Sequence, residues 1–201
     1  MSVLVVLFLT AVLALFSGVY NQGKFARYIG ILGLLVALCV SFSPELAFFN
    51  QYKSMFDFNE NAALFTKISL VVTLLIFFLG GFAFNNHRSH QSELYSLMLF
   101  SLIGAVILFS FTNLVTLFLG IEILSIPLYV MAGSNKTDLR SNEASIKYFL
   151  MGAFATGFLL FGIALIYGST GSFDVHIINT FSVANPKDLM FVMGIMLMLV
   201  A

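Results

Sequence analysis

The sequence predicts an all-α protein, a polytopic bundle of transmembrane helices with about six complete spans and a truncated seventh. Three observations carry that expectation. Hydrophobic residues make up 60% of the 201 positions and charged residues 9%, with a mean hydropathy of +1.04, where a soluble domain carries roughly 25% charged residues. The charges are also grouped: no Asp, Glu, Lys or Arg occurs before Lys24, between Arg27 and Glu45, between Lys67 and Arg88, between Glu93 and Glu122, between Lys147 and Asp174, or after Asp188. Most of these gaps reach or approach the ~20 residues that cross a ~30 Å hydrocarbon layer at 1.5 Å per residue. Finally, the apolar runs are continuous rather than alternating, which excludes the two-residue repeat of an outer-membrane barrel.

Taken in order, the spans fall at residues 3–20, 28–43, 63–84, 94–112, 114–132 and 145–167, and a seventh begins near Leu189 and does not finish. From Leu94 to Asn135 the only charge is Glu122; as one helix that stretch would be about 63 Å long, too long for a single crossing. Phe111, Thr112 and Asn113 form the clearest polar interruption, so a tight turn is expected there between two antiparallel spans. Lys24, Arg27, Arg88, Lys136 and Arg140 lie in the loops after spans one, three and five, against Lys53 and Lys187 in those after two and six. The excess places the first set in the cytoplasm and the N-terminus outside, in a multi-pass protein of the cell inner (plasma) membrane. Lys67, at the mouth of span three, is then free to snorkel to the outer interface. Span one has no basic segment before it and no obvious small-residue cleavage site, so it reads as retained.

Several functions are excluded. The single Cys39 lies within span two, permits no internal disulfide and reads as packing. His87 and His90 sit in a polar loop without a carboxylate or Cys cluster and read as solvated, so no metal is expected. Neither a Gly-rich phosphate loop nor a nucleophile constellation is present. The partner the composition does require is the lipid bilayer; no nucleic acid is expected.

Glu122, in the middle of span five, is the unusual residue. An acid at the bilayer centre costs roughly 2.5 to 3.5 kcal/mol on insertion scales, so it calls for a partner, a water cavity or protonation. Two roles are open: a group that takes up and releases protons, or a permanently neutral carboxyl bonding a neighbouring helix. Pro127 lacks the N–H that would reach Ile123, which frees a carbonyl one residue from the acid and kinks the helix. Lys147, at the start of span six, is either a second station of a proton path or a snorkelling interface charge. Glu143 precedes it by four residues, in the favourable order for a helical ion pair. Glu122 and Lys147 should differ in depth by roughly 12 Å, which points to a water-linked relay rather than a salt bridge. Further along span six, Ala153 and Gly157 are four apart and are expected to pack closely on a neighbouring helix.

These residues sit in recognisable surroundings. The run LGIEILSIPLYV at 119–130, EASIKYFLMGAF at 143–154 and YGSTGSFD at 167–174, with a weaker stretch DFNENAALFTKI at 57–68, resembles the subunit N family of NADH-quinone oxidoreductase, respiratory complex I. The wider family includes the other antiporter-like complex I subunits and the Mrp cation/proton antiporters. The resemblance implies a proton-pumping module in which Glu122 matches the family's span-five glutamate and Lys147 the lysine at the start of span six. It divides the chain into an N-terminal three-helix segment, 1–93, and the start of an antiporter-like repeat, 94–201. It further implies that NADH, flavin, iron–sulfur clusters and quinone belong to partner subunits, that this chain binds none of them, and that its partners are other membrane-arm subunits. Family members have roughly fourteen spans, so the chain is expected to be incomplete, stopping inside span seven before the family's next lysine. A cation/proton antiporter subunit, or a subunit of a membrane-bound hydrogenase, is the alternative within the same family.

Overall fold

The computed structural model describes residues 1–19, 23–43, 55–83 and 91–201. The loop charges Glu45 and Lys53, and His87, Arg88 and His90, lie outside those residues. Among the described residues the chain forms eight helices. They are α1 (Ser2–Val19), α2 (Gly23–Val40), α3 (Glu60–Ala83), α4 (Gln91–Ser110), α5 (Leu114–Ala132), α6 (Leu139–Thr170), α7 (Val175–Ala184) and α8 (Leu189–Val200). Four segments, Glu60–Gly80, Gln91–Ser110, Leu114–Ala132 and Leu139–Thr170, are long and apolar enough to cross a membrane; Ser2–Gly18, Phe25–Val40, Val175–Ala184 and Leu189–Val200 are shorter apolar helices.

From α5 onward every helix begins at an Asn or Asp whose side chain accepts an otherwise unpaired N–H of the first turn. Asn113 accepts from Val115 at 2.8 Å, Asp138 from Arg140 at 3.0 Å, Asp174 from His176 at 2.8 Å and Asp188 from Phe191 at 2.8 Å. The cap at Asp138 explains why α6 starts six residues before the expected span: its first turns are polar, and its 32 residues extend about 48 Å, beyond the hydrocarbon layer. It stops at Gly171, whose φ of 70° lies in the left-handed region and whose N–H bonds to the Tyr167 carbonyl.

The expected turn between spans four and five is present and does more than reverse the chain. Phe111 pairs with Phe56 and Asn113 with Asp174 as short antiparallel bridges. The Asp57 N–H reaches the Ser110 carbonyl at 2.7 Å, and the Val175 N–H reaches the Thr112 carbonyl at 3.0 Å. Three connections thereby meet at one end of the bundle and satisfy backbone groups that helices leave open. The segment after span six, read from sequence as a loop, instead contains α7. Its Val175, Ile178 and Phe181 recur at helical spacing and pack on the α5–α6–α8 core, a pattern too short to separate from a loop by hydropathy.

Two apolar cores result. The larger joins α1, α2, α3 and α4 through side chains such as Leu7, Leu34, Leu70, Phe77, Tyr95 and Leu99. Its helices approach closely because small residues face one another: a Cβ on Gly33 would stand 2.0 Å from Thr10 Cγ2. The second joins α5, α6 and α8 through Leu114, Leu159, Ile163, Ile166 and Phe191. Here α6 and α8 meet at Gly162 and Gly194, where a Cβ on either glycine would come within 2.9 Å of the other's carbonyl oxygen.

Two expectations need correction. Gly157 meets nothing within 4 Å, and Ala153 beside it is exposed, so this face of α6 is open within the chain; close packing falls instead on Gly152 and Gly162. The small-residue spacing was real, but spacing does not specify which helix face meets a neighbour. Cys39 likewise is exposed on α2 rather than buried in packing. Lys67 folds its ammonium over the Phe42 ring, 4.5 Å from the centroid, just beyond the end of α2.

Candidate functional site

Glu122 lies near the middle of α5, half-buried, and its carboxylate makes no hydrogen bond or ion pair among the described residues. The surrounding α5 backbone is unusually polar for a membrane span. Pro127 is buried inside the helix and offers no N–H to the Ile123 carbonyl. On either side of that carbonyl the neighbouring oxygens are met by hydroxyls: Ser125 Oγ donates to the Glu122 carbonyl at 3.4 Å, and Ser101 Oγ on α4 donates to the Leu124 carbonyl at 3.2 Å. One turn along α4 from Ser101, Gly104 lies so close to α5 that a Cβ there would stand 2.4 Å from Leu124 N.

α5 and α6 run antiparallel and are tied at the far end of α5. Ser141 Oγ donates to the Ala132 carbonyl at 2.7 Å and Ser145 Oγ to the Tyr129 carbonyl at 2.9 Å. The buried Tyr129 ring packs edge-on against Tyr148, with centroids 4.9 Å apart, and covers Gly152, where a Cβ would come within 1.9 Å of the phenol oxygen. Lys147 lies among these contact residues in sequence but about 200° around the helix from Ser145, away from α5. Its side chain is 69% exposed and its ammonium pairs with Glu143, the i,i+4 partner expected from the spacing. Glu122 is seven residues from Tyr129, about 10 Å along the axis. The structure therefore brings Glu122 and Pro127 together on one helix and leaves Lys147 apart from them.

Chemically, the site is an unpaired carboxyl at mid-span beside a run of backbone oxygens, an arrangement able to hold a proton or a water-bridged cation. No group of three or more His, Cys, Asp or Glu side chains able to hold a metal ion occurs among the described residues. Sequence reasoning missed Ser101 and Ser125. A signal existed for the first: Ser101, three residues before Gly104, interrupts the otherwise apolar LMLFSLIGAV stretch of α4.

Residues 111–201 match the transmembrane family described as NADH:quinone oxidoreductase/Mrp antiporter. The chain belongs to this family of antiporter-like membrane subunits. Along most of its length, the relatives it matches are NADH-quinone oxidoreductase subunit N proteins. The one from Cytophaga hutchinsonii is 43% identical over 175 residues, covering 86% of this chain and 36% of the relative. The one from Flavobacterium johnsoniae is 40% identical over 168 residues, covering 84% and 36%. This chain thus spans little more than a third of the length of these relatives. Among solved structures it is similar to a chain of Thermus thermophilus respiratory complex I with bound aureothin, with TM-score 0.72, 27% identity, and coverage of 98% of this chain and 42% of that one. The fold alone is shared with a chain of an archaeal membrane-bound sulfane sulfur reductase, with TM-score 0.75 and 22% identity over 98% of this chain and 43% of that one.

Proposed function

We propose that this protein acts as a proton-translocating membrane-arm subunit of an NADH:quinone oxidoreductase, coupling electron transfer from NADH to quinone to proton pumping. The observation that carries the proposal is the unpaired, half-buried Glu122 carboxyl at mid-span, inside the segment that matches the family. In this reading Glu122 exchanges the proton and the Pro127 kink exposes backbone oxygens that keep water beside it. Lys147, about two turns inside α6, acts as a separate station, linked through water rather than by contact. Other membrane-arm subunits are its partners, and NADH, flavin, iron–sulfur clusters and quinone are held by partner subunits rather than by this chain. Residues 1–93 act as a three-helix segment and 94–201 as the start of an antiporter-like repeat, with six spans and the start of a seventh.

The test is Glu122→Gln, which keeps size and hydrogen bonding but removes titration. In the parent complex, with assembly verified by subunit content, coupled proton pumping should fall about a hundredfold or more, the scale of losing one general acid–base group. Normal pumping by the assembled variant would remove Glu122 from the path. The cation/proton antiporter reading draws on the Mrp members of the family; sodium-dependent proton exchange without NADH dehydrogenase activity in co-purified membranes would select it.

We further propose that the N-terminus lies outside the cytoplasm and that the α5–α6 connection, with Lys136 and Arg140, lies inside. In a Cys39→Ala background, a single cysteine at Ser134 should resist an impermeant reagent applied to intact cells, and one at Asn185 should react. The reverse pattern would invert the topology.

A further inference from the structure

Most hydroxyls in the spans bond back to their own helix, as Thr10 does to Leu7, Thr66 to Ala62 and Ser110 to Val106. Such bonds satisfy the hydroxyl locally and tie no two helices together. Ser101 departs from this: its Oγ crosses from α4 to the Leu124 carbonyl, two residues past Glu122 and three before Pro127. Gly104 presses the same residue of α5 from its N–H side. The backbone at Leu124 is therefore gripped between a hydroxyl and a residue without a side chain. The grip falls where Pro127 has weakened the helix's own hydrogen bonding, so α5 has least internal resistance to bending there.

We propose that Ser101 is a positioning residue for Glu122, its hydroxyl fixing the bend of α5 and hence the place of the carboxyl. The inference rests on the proton-exchange reading of Glu122. The donor matters because it ties α5 to α4 at the residue next to the Ile123 carbonyl that Pro127 leaves without its helical partner. Without it the middle of α5 relaxes, and a displacement of about 1 Å at a reacting group is enough to slow a step measurably.

The experiment uses the assembled parent complex and measures proton pumping per complex. Ser101→Ala should lower it about threefold, the worth of one interhelical hydrogen bond in a membrane. Ser101→Thr, which keeps the hydroxyl, should restore it. In a Glu122→Gln background, Ser101→Ala should cause no further loss of the residual rate, because its effect acts through the carboxyl. If Ser101→Ala assembles poorly, Ser101→Cys, with its weaker donor, replaces it under the same criteria. A lower complex yield with unchanged pumping per complex, or an additive loss in the Glu122→Gln background, would overturn the proposal and leave Ser101 a packing residue. Normal pumping by Glu122→Gln itself would overturn the proton reading together with this inference, whereas a defective Glu122→Gln beside a silent Ser101→Ala would overturn this inference alone.

Discussion

The two halves of the bundle differ in how they pack and in where an acid is placed within a span. In α1–α4 the buried hydroxyls find carbonyls, Thr10 within its own helix and the almost fully buried Ser96 at the Ala11 carbonyl of α1, 3.1 Å away, while Arg27 Nε on α2 is buried without a hydrogen-bond partner among the described residues. The surrounding core is apolar and closely packed around Leu7, Leu34, Leu70 and Phe77. In α5–α8 the core is smaller, α6 presents an open face at Ala153 and Gly157, and the mid-span Glu122 carboxyl has no partner among the described residues. Unsatisfied polar groups in an apolar medium are costly, so a segment that retains one is sacrificing stability at that point. The α1–α4 core is the larger of the two, and the proposed site lies on α5, whose Leu114 belongs to the smaller core. The α4–α5 seam joins the two, which is why α4 carries both core residues and the hydroxyl that reaches the site.

Two glycines probe that contrast most strongly. A methyl at Gly104 would stand 2.4 Å from Leu124 N and 2.7 Å from Leu124 Cα, backbone atoms that cannot rotate away. Gly104→Ala should therefore force the seam apart and cost about 1 to 3 kcal/mol, the usual range for overpacking. Gly157 has nothing within 4 Å, so Gly157→Ala should be tolerated and should stabilise the helix by up to ~1 kcal/mol. Thermal unfolding of the purified 201-residue chain in detergent, followed by helical signal, checks both. Equal effects at the two positions would erase the distinction between a closed seam and an open face.

Much of this was legible in the sequence, for physical reasons that also explain what was not. Gaps between charges mark bilayer crossings because a charge in hydrocarbon is expensive, so the positions of α1 to α6 followed from counting. The turn at Phe111 to Asn113 followed from helix length. Glu122 stood out because nothing in a span excuses an acid. The α7 helix was hidden because ten residues with an apolar stripe and no internal charge look like an interfacial loop. The use of each glycine was hidden because Gly104, Gly157 and Gly162 sit in similar apolar surroundings and differ only in what faces them. Ser101 was visible as a polar break in α4, but its role was not: a hydroxyl that bonds its own helix and one that crosses to another have the same local sequence.

The smallest expected effect on stability concerns Lys147, and its size matters because it separates two roles for that residue. Lys147 and Glu143 pair on an exposed face of α6, with side chains 69% and 62% accessible. An exposed i,i+4 pair contributes about 0.3 to 0.5 kcal/mol, further reduced by salt. Lys147→Ala should thus leave the unfolding midpoint of the chain almost unchanged, and so should Glu143→Ala. Any larger consequence in the parent complex must come from something other than folding. If Lys147 supplies a charge to the proton path, Lys147→Ala should reduce pumping per assembled complex while Lys147→Arg, which keeps the charge, should be milder. Both should fall short of Glu122→Gln, since Lys147 lies on an exposed face of α6 where water can substitute for it, whereas Glu122 is half-buried at mid-span. If the ion pair is what matters, Glu143→Ala should reproduce the Lys147→Ala loss, and reversing the pair as Glu143→Lys with Lys147→Glu should recover most of it. A loss with Lys147→Ala that neither Glu143→Ala nor the reversed pair reproduces assigns the effect to the ammonium itself, at the position where it now stands apart from Glu122.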